Sequence, residues 1–275
     1  IAVEEIKEKI GKYCPKLFSY PNFIGTIQAF VDQFLAIPFY TQQFKKKIIR
    51  IDNEIYNERI SKCLGNLWFH RYNYSEETLR QVAYIKNSNE GIFYNYRFKL
   101  DGDIKILTKS LNSSKLEIVK PRGNTRPNNY NDYSQQEKEN IYNWFIKLKS
   151  EILKEGILHY DDAYFLADIY LQKYSQTKNI IQNRFKYVFV DEMQDVDSHQ
   201  YDLLEKLFYD NGNSLSKYQR IGDKNQAIFS GDVSLEEIWI FRDDNRTKNI
   251  NGSQRLTNNV AELVNCFALS RDGNF

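Results

Sequence analysis

Residues 187–208, "YVFVDEMQDVDSHQYDLLEKLF", carry four apolar residues straight into an Asp-Glu pair and then into the spacing of an amphipathic helix. A short apolar run that stops at charge reads as a buried strand, here 187–190, and 197–208 reads as the helix that follows. Two adjacent carboxylates at the end of a buried strand are costly unless something supplies countercharge. One reading is that they cap the next helix, as acids at strand ends often do. The other places them at the carboxyl edge of a parallel sheet, where ligands gather. There Asp191 would bind the water shell of a Mg2+ and Glu192 would orient and deprotonate an attacking water, the ion and a polyphosphate supplying the countercharge.

A second element strengthens the latter reading. "YQRIGDKNQAIF" (218–229) is another short strand followed by Gly222-Asp223 and then Gln226. Gln226 offers a neutral amide on the neighbouring carboxyl-end loop, suited to sensing a terminal phosphate or the water beside it. Phe229, three residues on, either packs in the core or faces a base.

Outward from this centre the texture is α/β. "NFIGTIQAFVDQFLAIPF" (22–39) reads as a short apolar strand, a Gly-Thr turn and a helix with Ile27, Phe30, Val31, Phe34 and Leu35 on one face. "IAVEEIKEKIGKY" (1–13) reads as a helix under way at residue 1, "HYDDAYFLADIYLQKY" (159–174) as a helix with Asp161 or Asp162 near its start, and "NNVAELVNCFALS" (258–270) as a late helix. Between 41 and 155 helical stretches (57–72 and 136–156) flank a β-like region (91–110 and 115–120) and a polar loop (121–134). Strands alternating with helices imply a parallel sheet. Lys and Arg exceed Asp and Glu by eight between residues 41 and 127, whereas 180–250 is slightly acidic, a polarity hidden by the net charge of +2. The basic stretch is either a solvated face or a phosphate-binding one.

The bulk properties exclude several classes. Cys14, Cys63 and Cys266 stand far apart with no CxxC spacing, so neither a zinc site nor a disulfide framework is indicated. No apolar run approaches the roughly 18 residues of a membrane span, and no signal peptide opens the chain, which makes a cytoplasmic location the expectation. The chain opens on Ile1 and its one methionine is Met193, so a fragment of a longer protein is expected.

"VDEMQD" (190–195) together with "GDKNQAIF" (222–229) resembles motifs II and III of the UvrD/Rep-type superfamily 1 helicases. "IAVEEIKEKI" resembles the tail of motif Ia, "IGTIQAF" (24–30) motif Ib, "LHYDDAYFLA" (158–167) the segment before motif II, and "INGSQRLTNNVAELVN" (250–265) motif IV. The motifs keep the family's order along nearly the whole chain, with 41–155 matching by position alone. The resemblance implies a P-loop NTPase (RecA-like) α/β fold with a parallel sheet, helices on both faces and an inserted, mostly helical accessory domain with some β. It implies a first RecA-like domain at 1–40 and 156–249, the accessory domain at 41–155, and the start of a second RecA-like domain at 250–275.

It also implies ATP and Mg2+ as cofactors and single-stranded DNA or single/double-strand junctions as partners, in DNA repair, with a nuclease or repair protein as a further partner and no membrane. Asp191 would hold Mg2+, Glu192 would activate water, and Gln194 and Gln226 would relay between the γ-phosphate and DNA. Arg255 would act as an arginine finger, its plain alternative being a surface arginine. Thr26 and Gln28 would lie near the single strand, with Phe229 as a stacking platform. The implied activity is an ATP-dependent DNA helicase or translocase, moving 3′ to 5′.

Several positions depart from the family pattern. Gly231 replaces a second stacking aromatic in "FSGDVS" (229–234), Gln28 replaces a usual histidine, and Ser253-Gln254 stand where Asn-Tyr is common. No GxxxxGK[ST] phosphate loop occurs in the 275 residues, so the chain by itself is not expected to hydrolyse ATP. Two rival readings stay open: a non-catalytic DNA- or partner-binding subunit on a degenerate helicase fold, and a metal-dependent nuclease built on Asp191, Glu192 and Asp195.

Overall fold

The computed structural model describes residues 2–67, 74–122, 131–223, 226, 246–248, 250 and 256–266. The chain divides into two compact units, Ile1–Asn179 and Ile180–Phe275.

In the first unit, helix α1 (Ala2–Ile10) forms where the 3.6-residue spacing requires it. The expected strand at the head of 22–39 is absent. Residues 22–24 are irregular, and Phe23 turns its ring onto the following helix, edge-on to Phe30 and Phe34 at centroid distances of 5.8 and 5.3 Å. A Cβ on Gly25 would sit 2.6 Å from that ring, which explains the glycine. Thr26 caps α2 (Ile27–Val31) by accepting the amide of Ala29 at 3.1 Å. A π turn, Asp32–Ala36, joins α2 to α3 (Ile37–Phe44), and Val31, Leu35, Phe39 and Tyr40 of this run are buried.

A two-residue strand β1 (Arg50–Ile51) precedes α4 (Asn53–Gly65), α5 (Glu76–Ser88) and the short α6 (Gly91–Tyr94). Strands β2 (Arg97–Asp101) and β3 (Ile104–Thr108) form an antiparallel hairpin in the stretch read as β-like, although its first residues are helical. Of 115–120, only Lys115 makes a β-type contact, a bridge to Thr108. The longest helix, α7 (Gln135–Glu155), starts from a capping box between Ser134 and Glu137. It ends at Gly156, whose φ of 92° favours glycine. The Gly156 carbonyl accepts the amides of Ile49 and Arg50 at 2.8 and 3.1 Å, and this pins β1 parallel to β4 (Ile157–Leu158). Helix α8 (Tyr160–Lys173) follows, then α9 (Gln176–Arg184), within which the two units divide.

The apolar stripe of α7 contains Ile141, Trp144, Phe145, Leu148, Ile152 and Leu153, and Lys149 falls inside it. Lys149 is fully buried, so it needs partners. Its Nζ lies 2.7 Å from Oδ1 of the equally buried Asp162 and donates to the Tyr56 hydroxyl at 2.8 Å. Asp162 also accepts the His159 amide at 3.0 Å, and Arg97 reaches Asp161 at 2.8 Å and the His159 ring at 2.8 Å. This polar cluster fastens α4, α7, α8 and the hairpin at one point in the core.

The second unit has β5 (Tyr187–Val190), α10 (Ser198–Leu204) continued by a π turn at Glu205–Tyr209, and β6 (Lys217–Arg220). β5 and β6 pair in parallel with Val190 opposite Arg220. The buried Gln182 ties the intervening loop to α9, donating to the Leu207 carbonyl at 2.6 Å and accepting the Leu215 amide at 3.2 Å. One expectation needs correction. β5 is not buried on both faces: Val190 is buried, but Tyr187 and Phe189 are each 64% exposed. The expected parallel pairing is present in β1–β4 and β5–β6, and among the described residues each sheet has two strands. The late helix α11 (Asn258–Asn265) is present.

His159 carries a consequence for stability. Burial, and then the nearby Arg97 and Lys149 cations, push its pKa from 6.5 to about 2. An unfolded imidazole takes up a proton below about pH 6.5 that the folded one refuses, so stability falls with acidification by about 1.4 kcal/mol per pH unit. The urea midpoint should therefore drop between pH 7 and pH 5. The drop should flatten in His159→Asn, whose side-chain oxygen keeps a cap for the Asp161 amide.

Candidate functional site

The acidic pair lies in a break of the β5–β6 ladder. Ile221 donates its amide to the Val190 carbonyl at 2.8 Å, and Met193 donates its amide to the Ile221 carbonyl at 3.0 Å. These two bonds bracket Asp191 and Glu192, which stand outside the ladder and are exposed, while Met193 beyond them is fully buried. To make the turn Glu192 adopts left-handed backbone angles, φ 51° and ψ 43°. For a side-chain-bearing residue that conformation costs roughly 1–2 kcal/mol, and strain of this kind clusters at working sites. The N-cap position of α10 belongs to Asp197, with Gln200 closing its capping box. Neither Asp191 nor Glu192 is spent on that cap.

Gln194 joins the two motifs. Its side chain is buried at 3% exposure, and each end of the amide is used. Nε2 donates to Glu192 Oε2 at 2.5 Å, and Oε1 accepts the backbone amide of Asp223 at 3.0 Å. Gln226 closes the loop from the other side, donating its amide to the Asp223 carbonyl and its Nε2 to Asp223 Oδ2, both at 3.0 Å. A chain of hydrogen bonds thus runs from the Glu192 carboxylate through Gln194 to Asp223 and Gln226. Glu192, Gln194 and Gln226 are joined at one rim of the β5–β6 pair, with Asp191 next to Glu192 in the chain. The sequence reading gave Gln194 a relay role but missed its burial, and it missed Asp223 as the hinge of the network. The offset between "DEMQD" and "GD" in two adjacent parallel strands was the signal available.

Asp191 accepts the Glu192 amide on Oδ1 at 3.0 Å. Among the described residues no group of three or more His, Cys, Asp or Glu is arranged to hold a metal. Mg2+, a hard cation, is typically bound through one or two carboxylates plus phosphate oxygens and water, and the exposed carboxylate of Asp191 is a donor of that kind. Thr26 and Gln28 belong to the first unit, Thr26 capping α2 and Gln28 donating to Asp32 Oδ1 at 2.8 Å. Phe229 and Arg255 lie outside the described residues.

Residues 1–231 match the UvrD/REP helicase N-terminal domain family. The chain belongs to that family. Among individual relatives, it is 25% identical over 151 residues to the ATP-dependent DNA helicase Rep of Salmonella typhimurium, a match covering 54% of this chain and 20% of that protein. It is 32% identical over 75 residues to Rep of Escherichia coli, covering 27% and 10%. Against the ATP-dependent DNA helicase PcrA of Staphylococcus epidermidis it is 24% identical over 139 residues, covering 49% and 18%. The chain therefore spans a fifth or less of the length of these relatives. No helix among the described residues is long and apolar enough to cross a membrane.

The Gln194 link can be broken singly. Gln194→Leu leaves the Asp223 amide without its acceptor and should cost roughly 1–3 kcal/mol. Hydrogen exchange at the Asp223 amide should accelerate, and unchanged protection there would show that the side chain does not hold the loop.

Proposed function

We propose that the chain forms part of an ATP-dependent DNA helicase or translocase of the UvrD/Rep type, coupling Mg-ATP hydrolysis to movement on single-stranded DNA, 3′ to 5′. The observation that carries this reading is the Gln194 bridge, a buried amide tying the carboxylate placed to activate water to the loop bearing Gln226. Glu192 is the general base, and its strained turn and hydrogen bond to Gln194 fix the carboxylate before substrate arrives. Asp191 would hold Mg2+ through its exposed carboxylate, and the ion would supply countercharge to the phosphates.

In this reading Gln226 senses the terminal phosphate, and Gln194 transmits any shift of the Asp223 loop to the base. Arg255 supplies a guanidinium against the charge that builds on the transferred phosphoryl group. Thr26, Gln28 and Phe229 meet the single strand. Residues 1–40 and 156–249 serve as the first RecA-like domain, 41–155 as an accessory insertion and 250–275 as the start of a second RecA-like domain. The phosphate loop that the chemistry needs would come from sequence outside these 275 residues.

Glu192→Gln in the full-length protein tests the assignment. It removes the base but keeps a side chain of the same shape, so DNA-stimulated ATP turnover should fall by at least about 100-fold. Nucleotide binding should be unchanged. Turnover within a few-fold of the parent would remove Glu192 from the base role.

A further inference from the structure

Gln28 would meet single-stranded DNA in the reading above, and the structure determines which end of its amide is available. Its Nε2 lies 2.8 Å from Asp32 Oδ1 and 3.5 Å from the carbonyl oxygen of Tyr160. Both neighbours are oxygens that accept. A flipped amide would set Oε1 against the same two oxygens, so the orientation is dictated by chemistry. Asp32 lies one helical turn on and opens the π turn that joins α2 to α3. Burial pushes the Asp32 carboxyl above its usual range, while the hydrogen bond from Gln28 opposes that rise by favouring the ionised form. One N–H of the Gln28 amide is thereby committed to Asp32, and the Tyr160 carbonyl stands 3.5 Å from the same nitrogen to take the other.

We infer that Gln28 faces its ligand as a hydrogen-bond acceptor only, through Oε1, and so recognises a nucleobase N–H and not a phosphate oxygen. Phosphate oxygens offer acceptors alone and would confront Oε1 without a proton between them. A base edge offers donors: an amino group on adenine, cytosine or guanine, and the single ring N–H of thymine. Asp32 is then a positioning residue, fixing which end of the Gln28 amide the strand meets. The inference rests on the proposal that Gln28 lies beside DNA, and the test separates the two.

The full chain and its Gln28→Ala variant are titrated at pH 8 with two labelled oligonucleotides of equal length. One is oligothymidylate. The other carries N3-methylthymine throughout, which removes the base N–H but keeps the phosphates and the stacking face. Loss of one neutral hydrogen bond predicts about a 2- to 12-fold weaker Kd for the variant on oligothymidylate. On the methylated strand, parent and variant should bind alike. An equal loss on both strands would overturn acceptor-only recognition while leaving Gln28 at the DNA. No loss on either strand, with binding retained, would remove Gln28 from the DNA and end the inference with it.

Discussion

The geometry of the second unit's candidate site depends on one buried amide. Gln194 accepts from the backbone after β6 and donates to the carboxylate after β5, so it ties together two loops contributed by different strands. Without it, Glu192 would be an exposed acid on a strained turn, free to sample several rotamers. An amide suits this position because it supplies one donor and one acceptor across a short span. A carboxylate or an aliphatic side chain would leave at least one of these partners unmatched. The bond also gives a physical route by which a change at Gln226 reaches the Glu192 carboxylate, through Asp223 and Gln194.

The first unit depends on a different constraint. Lys149 and Asp162 are both fully buried, and each would be prohibitive alone. A buried ion pair is poor evidence of net stability, since apolar residues of the same volume often do as well. Its directional bonds to Tyr56 and to the His159 backbone do set how α4, α7 and α8 meet. The same cluster keeps His159 neutral, so acid sensitivity follows from the packing.

The sequence-level reading succeeds where a signal is local and periodic. The helical stretch read at 136–156 forms as Gln135–Glu155, and β5 is marked by the short apolar run 187–190 ending in acids. That the loops bearing Asp191, Glu192 and Gln226 follow neighbouring parallel strands was legible from the two short strand signals. Arg255, the fourth residue expected there, lies outside the described residues. Failures came where tertiary contacts override local preference. The apolar residues before Gly25 suit a strand, but Phe23 finds two aromatic partners on the adjoining helix and packs there instead. The outward faces of Tyr187 and Phe189 could not be foreseen, because an uninterrupted apolar run carries no alternation to mark an exposed side. The pairing of Lys149 with Asp162 links residues distant in sequence, and nothing local identifies either as the other's partner.

A double-mutant cycle on DNA-stimulated ATP turnover, combining Gln194→Ala with Gln226→Ala in the full-length protein, interrogates the shared network most directly. If both amides serve one hydrogen-bonded path to Glu192, the second substitution should cost little once the first is made, giving a coupling of about 1 kcal/mol or more. Additive losses, with coupling below about 0.3 kcal/mol, would mean that the two glutamines act independently and that the bridge does not connect phosphate sensing to the base.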